Sequence, residues 1–463
     1  MTSARGCAVA GAAFALVACT LLPPATDVAV RHRYVVLGPG GVPVARAITT
    51  AAACPAIEFD GVTQPMAVRV PAATIPLRPT RSTPAESKPS AFPVLTCERV
   101  LPTGTARAVI AGVALPLPKP DPRRMVVVGD TGCRVKRAEN IFQRCDDPAS
   151  WPFARIANAA AALAPDLVLH VGDYHYRENA CPPGNAGCAG TPWGYGYDTW
   201  DADLFAPAAA LLAAAPWIVI RGNHESCDRA GQGWWRFLDP RPLAARQDCN
   251  DPNDDGVGDF SAPYAVPLGA DAQVVVFDSS LAPVTPLSAD QPMFRTYRAQ
   301  FEQAFAITTQ RPQTLFVNHH PILGFATNPA NADVPYPGNA ALHSALSAVP
   351  PGLAFPMEVQ ALIAGHNHML EVVSFASGQP PQVIAGHGGD WLDPPLKLPL
   401  RAGTAPAPGA VVASIVASDR FGFGVLERVG AGWTLKVFDV EGRPIGACTI
   451  VSRVARCSPD PFS

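Results

Sequence analysis

Short apolar runs alternate with polar and alanine-rich segments between residues 124 and 385. Alanine-rich segments such as 153–163 and 206–214 lie between these runs and predict helices. The regular change from strand to helix indicates an α/β fold for this part of the chain. The apolar runs, which predict buried strands, lie at 125–128, 167–171, 217–220, 274–277, 315–317, 361–364 and 383–385.

The two flanking regions show strand patterns without that alternation. Residues 423–427 and 433–437 alternate apolar and polar positions around a glycine-containing turn, and we expect them to complete a second sheet. Residues 20–118 contain short valine-rich runs, proline breaks and a polar low-complexity stretch, which together predict a small β-domain. The proline-rich segment 118–122 predicts a stiff linker, and a larger α/β domain is expected over residues 122–463.

Residues 1–19 have the pattern of a signal peptide. Arg5 supplies a positive charge, an apolar run follows at 6–15, and the sequence LVAC at 16–19 resembles a lipobox. Cleavage before Cys19 would leave a lipid-modified cysteine that tethers the protein to a bacterial membrane surface; an ordinary signal peptide that contains a cysteine is the alternative. No other run reaches the about 18 apolar residues that span a bilayer. The expected location is the bacterial periplasm or cell surface.

The cysteine content fits such an oxidising compartment. The chain has 12 cysteines, and setting Cys7 and Cys19 aside with the signal peptide leaves an even number. An even set in an exported chain predicts disulfides. Spacing favours pairing between sequence neighbours but leaves the connectivity open. The favoured pairs are Cys54–Cys97, Cys133–Cys145, Cys181–Cys188, Cys227–Cys249 and Cys448–Cys457.

Polar motifs follow five of the predicted strands, each close to the end of its strand. A single Gly-Asp pair after a strand is more often a turn than a ligand, but five motifs in succession indicate a site. Carboxylate oxygens and imidazole nitrogens at strand ends suit a phosphate-cleaving centre, because two cations can hold both the attacking and the leaving oxygen. The motifs are GDTG at 129–132, GDYHY at 172–176, GNHE at 222–225, NHHP at 318–321 and GHNH at 365–368.

In order and identity these motifs resemble the purple acid phosphatase branch of the calcineurin-like metallophosphoesterases, over roughly residues 122 to 450. The wider superfamily carries a histidine where Gly132 stands, whereas here Tyr176 follows Asp173 by three residues, which is the mark of the purple branch. The resemblance implies a four-layer αββα sandwich of two sheets, often preceded by an immunoglobulin- or fibronectin-like domain. It also implies a centre of two metal ions that hydrolyses phosphate esters.

The ligand chemistry divides into two pockets that share Asp173. One pocket holds three anionic oxygens once the phenol of Tyr176 ionises, and favours Fe(III); the other offers two imidazoles and an amide oxygen, and suits divalent Zn, Fe or Mn. Because a trivalent ion lowers the pKa of bound water, a metal-bound hydroxide is expected to attack phosphorus. The first set is Asp130, Asp173, Tyr176 and His368, and the second is Asp173, Asn223, His319 and His366.

Side chains beside the proposed ligands are assigned other roles. His224 adjoins a ligand, and adjacent side chains rarely point at the same ion, so we assign it to phosphate binding and leaving-group protonation, its role in the family. By resemblance, Glu225 helps to orient the histidine cluster, with a surface salt bridge as the alternative. His320 is a candidate for contact with the ligands. His387 follows another strand and glycine turn, and is a candidate for the pocket lining.

Two loop regions carry weaker signals. Residues 251–259 match the front half of a calcium-binding loop, but position 262 is alanine instead of the usual acidic residue, so a solvated turn is the alternative to calcium. Five aromatic residues follow the second and third motifs, and they either form a pocket wall for an aromatic or lipid-like leaving group or pack the long loops. They are Trp193, Tyr195, Tyr197, Trp234 and Trp235.

Charge and motif content narrow the function to three hypotheses. The net charge of −3 and the scattered basic residues give no footprint for nucleic acid, and the expected partner is a small-molecule phosphoester. The first hypothesis is a two-metal acid phosphatase that cleaves phosphate monoesters outside the cytoplasm. The second is a phosphodiesterase that uses the same centre on nucleotides or phospholipid head groups. The third is a non-catalytic surface lipoprotein.

Overall fold

The computed structural model describes residues 29–459, and the predicted signal peptide and Cys19 lie outside this range. Two large sheets face each other, and helices cover their outer faces, which confirms the predicted four-layer αββα sandwich. The α-helices are α1 (Phe153–Ala162), α2 (Tyr197–Trp200), α3 (Ala209–Ala214), α4 (Gly231–Gly233), α5 (Asp255–Gly258), α6 (Pro292–Thr308) and α7 (Ala340–Ser347).

Most of the regular structure is strand. The strands before the first motif are β1 (Val30–Leu37), β2 (Pro43–Thr49), β3 (Ala56–Phe59), β4 (Val62–Pro65), β5 (Ala67–Val70), β6 (Ala73–Ile75), β7 (Ser90–Phe92), β8 (Leu95–Val100), β9 (Ala108–Ile110), β10 (Val113–Ala114) and β11 (Arg124–Val128). The central strands are β12 (Val135–Lys136), β13 (Ile141–Phe142), β14 (Leu167–His170), β15 (Trp217–Val219), β16 (Tyr264–Pro267), β17 (Ala272–Val276), β18 (Gln313–Val317), β19 (Val359–Ala364), β20 (Leu370–Phe375) and β21 (Gln382–Ala385). The last strands are β22 (Val412–Ser418), β23 (Gly422–Val429), β24 (Gly432–Asp439), β25 (Pro444–Val451) and β26 (Val454–Ser458).

The strand order places the motif-bearing strands side by side. The first sheet has 11 strands in the order β26-β25-β24-β23-β11-β14-β15-β1-β2-β8-β5, and the second has 7 in the order β16-β17-β18-β19-β21-β20-β22. Strands β11, β14 and β15 run parallel, as do β17, β18, β19 and β21. Parallel strands are buried on both faces, which accounts for the continuous apolar runs in the sequence.

Apolar clusters join the layers. Val127 of the first sheet and Leu315 and Ile363 of the second belong to the core between the sheets. Ile156 of α1 packs on the outer face of the first sheet, and Phe301 of α6 on the outer face of the second. The two sheets are therefore held face to face, with the carboxyl ends of their parallel strands available at one edge.

The predicted strands agree closely with the observed ones. The seven predicted runs are β11, β14, β15, β17, β18, β19 and β21, and no end differs by more than two residues. The predicted helix at 153–163 is α1. The predicted helix at 206–214 corresponds to α3, which begins at Ala209 after a π-helical turn at Asp201–Phe205.

The N-terminal region is rich in strands, as predicted, but its main strands extend the first sheet. Strand β1 pairs in parallel with β15, and β2, β8 and β5 continue the same sheet outward. The Tyr34 hydroxyl and the buried Arg46 guanidinium donate to the Phe237 carbonyl oxygen at 2.8 and 3.0 Å. The unpaired edge of β15 accounts for this junction, because a buried strand edge needs a partner for its backbone groups. Strands β3, β4, β9 and β10 form a separate four-stranded sheet in this region, and β6 pairs with β7 in a two-stranded sheet.

The C-terminal strands differ from the expectation that they complete a second sheet. Strand β23 pairs antiparallel with β11, so β23 and β24 lie in the sheet that carries the first three motifs. The second sheet is built instead from β16 to β22, which carry the last two motifs. Strand alternation shows that one face is buried, but it does not specify which neighbour supplies the hydrogen bonds.

All five favoured disulfide pairs are present: Cys54–Cys97, Cys133–Cys145, Cys181–Cys188, Cys227–Cys249 and Cys448–Cys457. Cys133 directly follows the first motif and Cys227 lies two residues after the third, so two of the bridges fasten loops that begin at the candidate site. Within residues 29–459, no helix is long and apolar enough to cross a membrane.

The segment with the partial calcium motif forms a turn held by its own contacts. Asp251 accepts the backbone N–H of Asn253 at 2.9 Å and begins a 3-10 turn. Asp254 pairs with Arg246 at 2.6 Å, and Asp255 pairs with Arg78. The carboxylates point to separate partners and not to a common centre, which favours the turn over calcium.

Glu371 in β20 links the second sheet to the loop after β18, since its Oε1 accepts the N–H of Phe325 at 2.9 Å. Burial raises the pKa of its carboxyl from 4.5 to about 8. Between these values the unfolded chain loses its proton before the folded chain does, so the wild type should lose stability as pH rises.

We therefore predict that Glu371→Gln gains stability relative to the wild type between pH 5 and pH 9, by about 1 kcal/mol or more. The free energy of unfolding by denaturant, measured at pH 5 and at pH 9, tests this prediction. Glu302→Gln on the exposed face of α6 is the control and should show no such change. Equal pH dependence in Glu371→Gln and the wild type would contradict the prediction.

Candidate metal centre

The five motifs converge at the edge where the parallel strands of both sheets end. Asp130 follows β11, Asp173 follows β14 and Asn223 follows β15, all in the first sheet. His319 follows β18, and His366 follows β19, in the second sheet. Ligand sites in α/β proteins lie at the carboxyl ends of strands, and here the ends of two sheets face one another.

Tyr176 is at the centre of the first group of side chains. Its hydroxyl oxygen lies 3.1 Å from Oδ1 of Asp130, 2.9 Å from Oδ2 of Asp173 and 3.0 Å from Nε2 of His368. All four side chains are buried or nearly so. These are the four side chains predicted for the first pocket, and the structure brings all of them together.

Asn223 is at the centre of the second group. Its Oδ1 lies 3.1 Å from Nε2 of His319 and 2.9 Å from Nδ1 of His366. Oδ2 of Asp173 lies 3.1 Å from the same Nε2 of His319. Asp173, His319 and His366 each present a ligand atom within 4.8 Å of the others, close enough to hold one cation.

Asp173 belongs to both groups because its two carboxylate oxygens face different ways. Oδ2 faces Tyr176 and His319, whereas Oδ1 accepts the backbone N–H of His224 at 2.8 Å. The carboxylate therefore has a fixed orientation. It presents one oxygen to the space between the two groups, as the predicted shared ligand requires.

Backbone carbonyls fix the tautomers of two histidines. Nδ1 of His319 lies 2.9 Å from the carbonyl oxygen of Val171, and Nδ1 of His368 lies 2.8 Å from that of Trp391. A carbonyl oxygen accepts a hydrogen bond, so each Nδ1 donates, and each Nε2 faces the carboxylates as the atom that could bind a cation after losing its own proton. Metal-binding histidines are commonly oriented in this way.

The backbone at the site adopts conformations that are rare for residues other than glycine. Asp130, Asp173 and His366 have φ values of 56°, 56° and 69°. Such geometry persists where the surrounding structure demands it, and it concentrates at functional sites. Gly222 illustrates the crowding, because a Cβ there would lie 2.1 Å from Oδ1 of Asp173.

The concentration of acidic oxygens dominates the electrostatics. Burial lowers the pKa of His319, but the Asp173 carboxylate outweighs burial and raises it to about 9. Burial likewise raises the pKa of Asp130 to about 6. Burial, with the charges of Asp173 and Asp130, also raises the pKa of the Tyr176 phenol. The protein alone therefore holds protons in this space, and a cation would displace them.

Glu225 is wholly buried, so the surface salt bridge considered for it is wrong. Its carboxylate accepts backbone N–H groups from Asp173 at 3.1 Å, Tyr174 at 2.9 Å and Gly222 at 3.0 Å. Burial and the neighbouring Asp173 raise its pKa to about 8, while these N–H donors favour the ionised form. Glu225 thus orients the loops that carry the ligands, and not the histidine rings.

His224 packs against the ring of Tyr176 at a centroid distance of 3.9 Å, and it is buried. Its Nδ1 lies 3.0 Å from the carbonyl oxygen of His175 and 2.9 Å from Oε1 of Glu178. Arg229 forms a buried ion pair with Glu178. Neither Glu178 nor Arg229 was identified from the sequence, because neither belongs to a motif and only the fold places them beside His224.

Arg134 and Asp390 are also part of the site. The guanidinium carbon lies 5.0 Å from the centroid of the Tyr176 ring, and Nε lies 3.0 Å from Oδ2 of Asp390. Oδ2 of Asp390 is in turn 3.4 Å from Nε2 of His368. The glycine turn after β21 was a sequence signal for Asp390, whereas nothing in the sequence marked Arg134.

The two remaining candidate histidines have different positions. The ring of His320 lies 4.2 Å from that of His366 and 5.2 Å from that of His319, so it contacts the candidate ligands. His387 is 1% exposed, and neither ring nitrogen has a hydrogen-bond partner among the described residues. Burial lowers the pKa of His387 to about 4, and the ring does not line the cavity beside the centre.

The loop aromatics pack the interior. Tyr195, Tyr197, Trp234 and Trp235 are all buried in the core outside the first sheet. Trp193 is half-buried and lies under the amino group of Lys88, 4.7 Å from it. The packing interpretation is therefore correct, and these residues do not form the wall of a substrate pocket.

The comparisons with known proteins agree with this geometry. A family model described as calcineurin-like phosphoesterase matches residues 123–370. The fold is similar to purple acid phosphatase PPD1 from yellow lupin (Lupinus luteus) seeds, with a TM-score of 0.52 and 13% identity over 89% of this chain and 72% of that chain. It is also similar to the structure of PhoD, with a TM-score of 0.51 and 10% identity over 93% and 92%. No curated protein matches the chain.

A two-sheet sandwich with converging carboxylate, phenol, amide and imidazole groups at its strand ends defines a phosphoesterase of the metal-dependent class. The family model spans more than half of the chain, and the chain belongs to the calcineurin-like phosphoesterase family. It is therefore a hydrolase that acts on phosphoester bonds.

The role of Glu225 leads to a prediction for Glu225→Gln. The amide would turn an NH₂ group toward backbone N–H donors, so at least one buried donor loses its acceptor, at a cost of about 1–3 kcal/mol in the free energy of unfolding. We also expect less metal per chain, because the loop that carries Asp173 is released. Thermal unfolding and metal analysis measure both effects.

The matched control is Glu58→Gln, which removes a surface ion pair with Arg107 and should change neither quantity appreciably. Unchanged stability and metal content in Glu225→Gln would show that the carboxylate does not hold the two loops.

Proposed function

We propose that the protein is a two-metal phosphomonoesterase of the purple acid phosphatase branch, acting outside the cytoplasm. The observation that carries this proposal is the position of the Tyr176 hydroxyl among Asp130, Asp173 and His368, within 3.1 Å of each. A phenol in this position gives the first pocket a third anionic oxygen when it ionises, and such a pocket favours a trivalent ion.

The residues fit two cations. Asp130, Tyr176 and His368 would hold Fe(III), Asn223, His319 and His366 would hold divalent Zn, Fe or Mn, and Asp173 would be shared between the two ions. Burial raises the pKa of Asp130 to about 6, and Asp173 raises that of His319 to about 9, so these groups tend to hold protons that a cation would displace. When bound, the two ions would supply Lewis acidity to the phosphoryl oxygens and to the attacking water.

The net charge of the two metal ions and their ligands favours a dianionic substrate. Two metal ions of about +5 in total and three anionic ligand groups leave about +2. The outer pairs Arg134 with Asp390 and Arg229 with Glu178 are each neutral in sum. A phosphate monoester dianion matches the surplus better than a diester monoanion does.

His224 acts on the leaving group. Its ring packs at a tilt against the ring of Tyr176, Glu178 contacts its Nδ1, and Nη2 of Arg229 lies 2.6 Å from its Nε2. With Nδ1 beside the His175 carbonyl oxygen and Glu178, a proton for the departing alkoxide would come from Nε2 of the protonated ring, whose charge Glu178 would stabilise. Asp173 keeps its orientation during this step because His224 donates its backbone N–H to Oδ1.

An extracytoplasmic location rests on the five disulfides, which form and persist in oxidising compartments. We propose export through residues 1–19 and attachment to the membrane surface through a lipid on Cys19. Mass spectrometry of the N-terminal peptide of the mature protein distinguishes a lipid-modified Cys19 from ordinary cleavage.

Turnover of matched chromogenic esters tests the reaction. We expect kcat/KM for 4-nitrophenyl phosphate to exceed that for bis(4-nitrophenyl) phosphate by at least tenfold, since the surplus positive charge favours the dianion. Steady-state rates on metal-loaded protein provide the measurement. A preference for the diester would replace the phosphomonoesterase with the phosphodiesterase hypothesis, and inactivity on both esters would overturn the proposed function.

Tyr176→Phe tests the metal assignment. The wild type should show a broad visible absorption band from tyrosinate bound to Fe(III), with two metal ions per chain, and the substitution should abolish the band. Visible spectroscopy and metal analysis record both properties. Tyr297→Phe is the control, because this buried tyrosine lies in α6 away from the ligands. A colourless wild type with two divalent ions would retain the hydrolase but contradict the purple branch.

A further inference from the structure

A cavity of about 500 Å³ opens directly beside the candidate metal centre. His366, from the second ligand group, and His320, which contacts it, form part of its wall. Depressions of about 760 Å³ around residues 398–415 and about 720 Å³ near the N-terminal strands share no residue with the ligand groups. The cavity that shares His366 is therefore within reach of the ester group of a phosphate held at the centre.

The rest of the wall is mostly apolar. Val284, Tyr336, Pro337 and Ala340 line it together with the backbone of Gly338. No described residue of this wall is a lysine, arginine, aspartate or glutamate. Val284 is 79% exposed and Tyr336 is 50% exposed, so both side chains present apolar surface to water at this cavity.

Hydrogen bonds within the protein hold the backbone of this wall. Tyr336 is fixed by two backbone hydrogen bonds with Ala326, at 3.0 and 2.8 Å. Asn339 caps α7 by accepting the N–H of Leu342, and its amide donates to the carbonyl oxygen of Pro283 at 3.1 Å. The backbone segments that carry Tyr336 and Val284 are thus tied to each other and to the start of α7.

These contacts decide between two kinds of ester group. A group with a second phosphate or another anion needs a cationic partner, and this wall offers no lysine or arginine. A neutral apolar group needs only apolar surface removed from water. The Asn339 amide is occupied by the Pro283 carbonyl, so it is not free to bind a polar substituent.

We propose that the cavity binds the alcohol part of the substrate and selects phosphate monoesters whose alcohol is neutral and apolar, either an alkyl chain or an aromatic ring. Tyr336 and Val284 are the specificity-determining residues. This inference rests on the proposed phosphomonoesterase function and adds the class of substrate to it. Four of the five aromatic residues that the sequence suggested for this role, Tyr195, Tyr197, Trp234 and Trp235, are buried in the core outside the first sheet.

Three esters with the same kind of leaving group test the proposal. Ethyl phosphate, hexyl phosphate and 1,6-hexanediol bisphosphate all release a primary alkoxide, and they differ only in chain length and in charge at the far end. For the metal-loaded wild type we expect kcat/KM for hexyl phosphate to exceed that for each of the other two by at least tenfold, with the difference chiefly in KM.

Variants of the wall assign the preference to named residues. Tyr336→Ala should reduce the ratio of hexyl to ethyl phosphate to about two or less, whereas Tyr336→Phe should keep it, because the contact is apolar. Val284→Lys should raise kcat/KM for the bisphosphate relative to hexyl phosphate by at least fivefold. Val429→Lys, at a valine in β23 that is 61% exposed, is the matched control and should leave every ratio unchanged.

The outcomes separate this inference from the function on which it rests. If none of the three esters is hydrolysed by metal-loaded protein, the proposed function and this inference both fail. If all three are hydrolysed equally, if the wild type prefers the bisphosphate, or if Tyr336→Ala keeps the hexyl preference, the inference fails and the phosphomonoesterase stands.

Discussion

The fixed carboxylate of Asp173 is the feature on which the site depends. One of its oxygens lies between Tyr176 and His319, and the other is held by the backbone N–H of His224. Its own backbone N–H is held by the buried carboxylate of Glu225. These contacts bring together the loops after neighbouring strands of the first sheet. Two cations could share the Asp173 carboxylate only if this orientation is kept.

The sandwich supplies the other half of the site. His319 and His366 come from the second sheet, so their distance to Asp173 is set by how the two sheets pack, and the apolar core between the sheets maintains that distance. The relative positions of the ligands therefore depend on the apolar interface between the two sheets and not only on contacts within the site. Because interiors are densely packed, the positions of the ligands resist small displacements.

The residues around the ligands are charged on one side of the site and mostly apolar on the other. Buried ion pairs lie on the side of Tyr176 and His224, where Arg134 meets Asp390 and Arg229 meets Glu178. The side of His320 and His366 opens onto an apolar wall instead. Charge is therefore confined to the region where a phosphate would bind, and the neighbouring space suits the neutral part of an ester. This division agrees with a hydrolase whose chemistry is general and whose substrate choice lies in the loops.

The sequence by itself determined the positions of the seven central strands, the five motifs and the seven candidate ligands, and it favoured the disulfide pairs without fixing them. These features are local: a strand period, a residue at a strand end and a spacing between cysteines are all properties of short segments. Tyr176 was informative for the same reason, since its offset from Asp173 is visible without a structure.

Only the tertiary structure decided the features that join distant segments. The attachment of β1 to β15 and of β23 to β11, the burial of Glu225, and the partners Arg134, Glu178 and Arg229 depend on which elements become neighbours. The apolar wall around Tyr336 and Val284 arises in the same way, from residues with no common motif. Local patterns state which face of an element is buried, but the packing of the two sheets determines what lies against it.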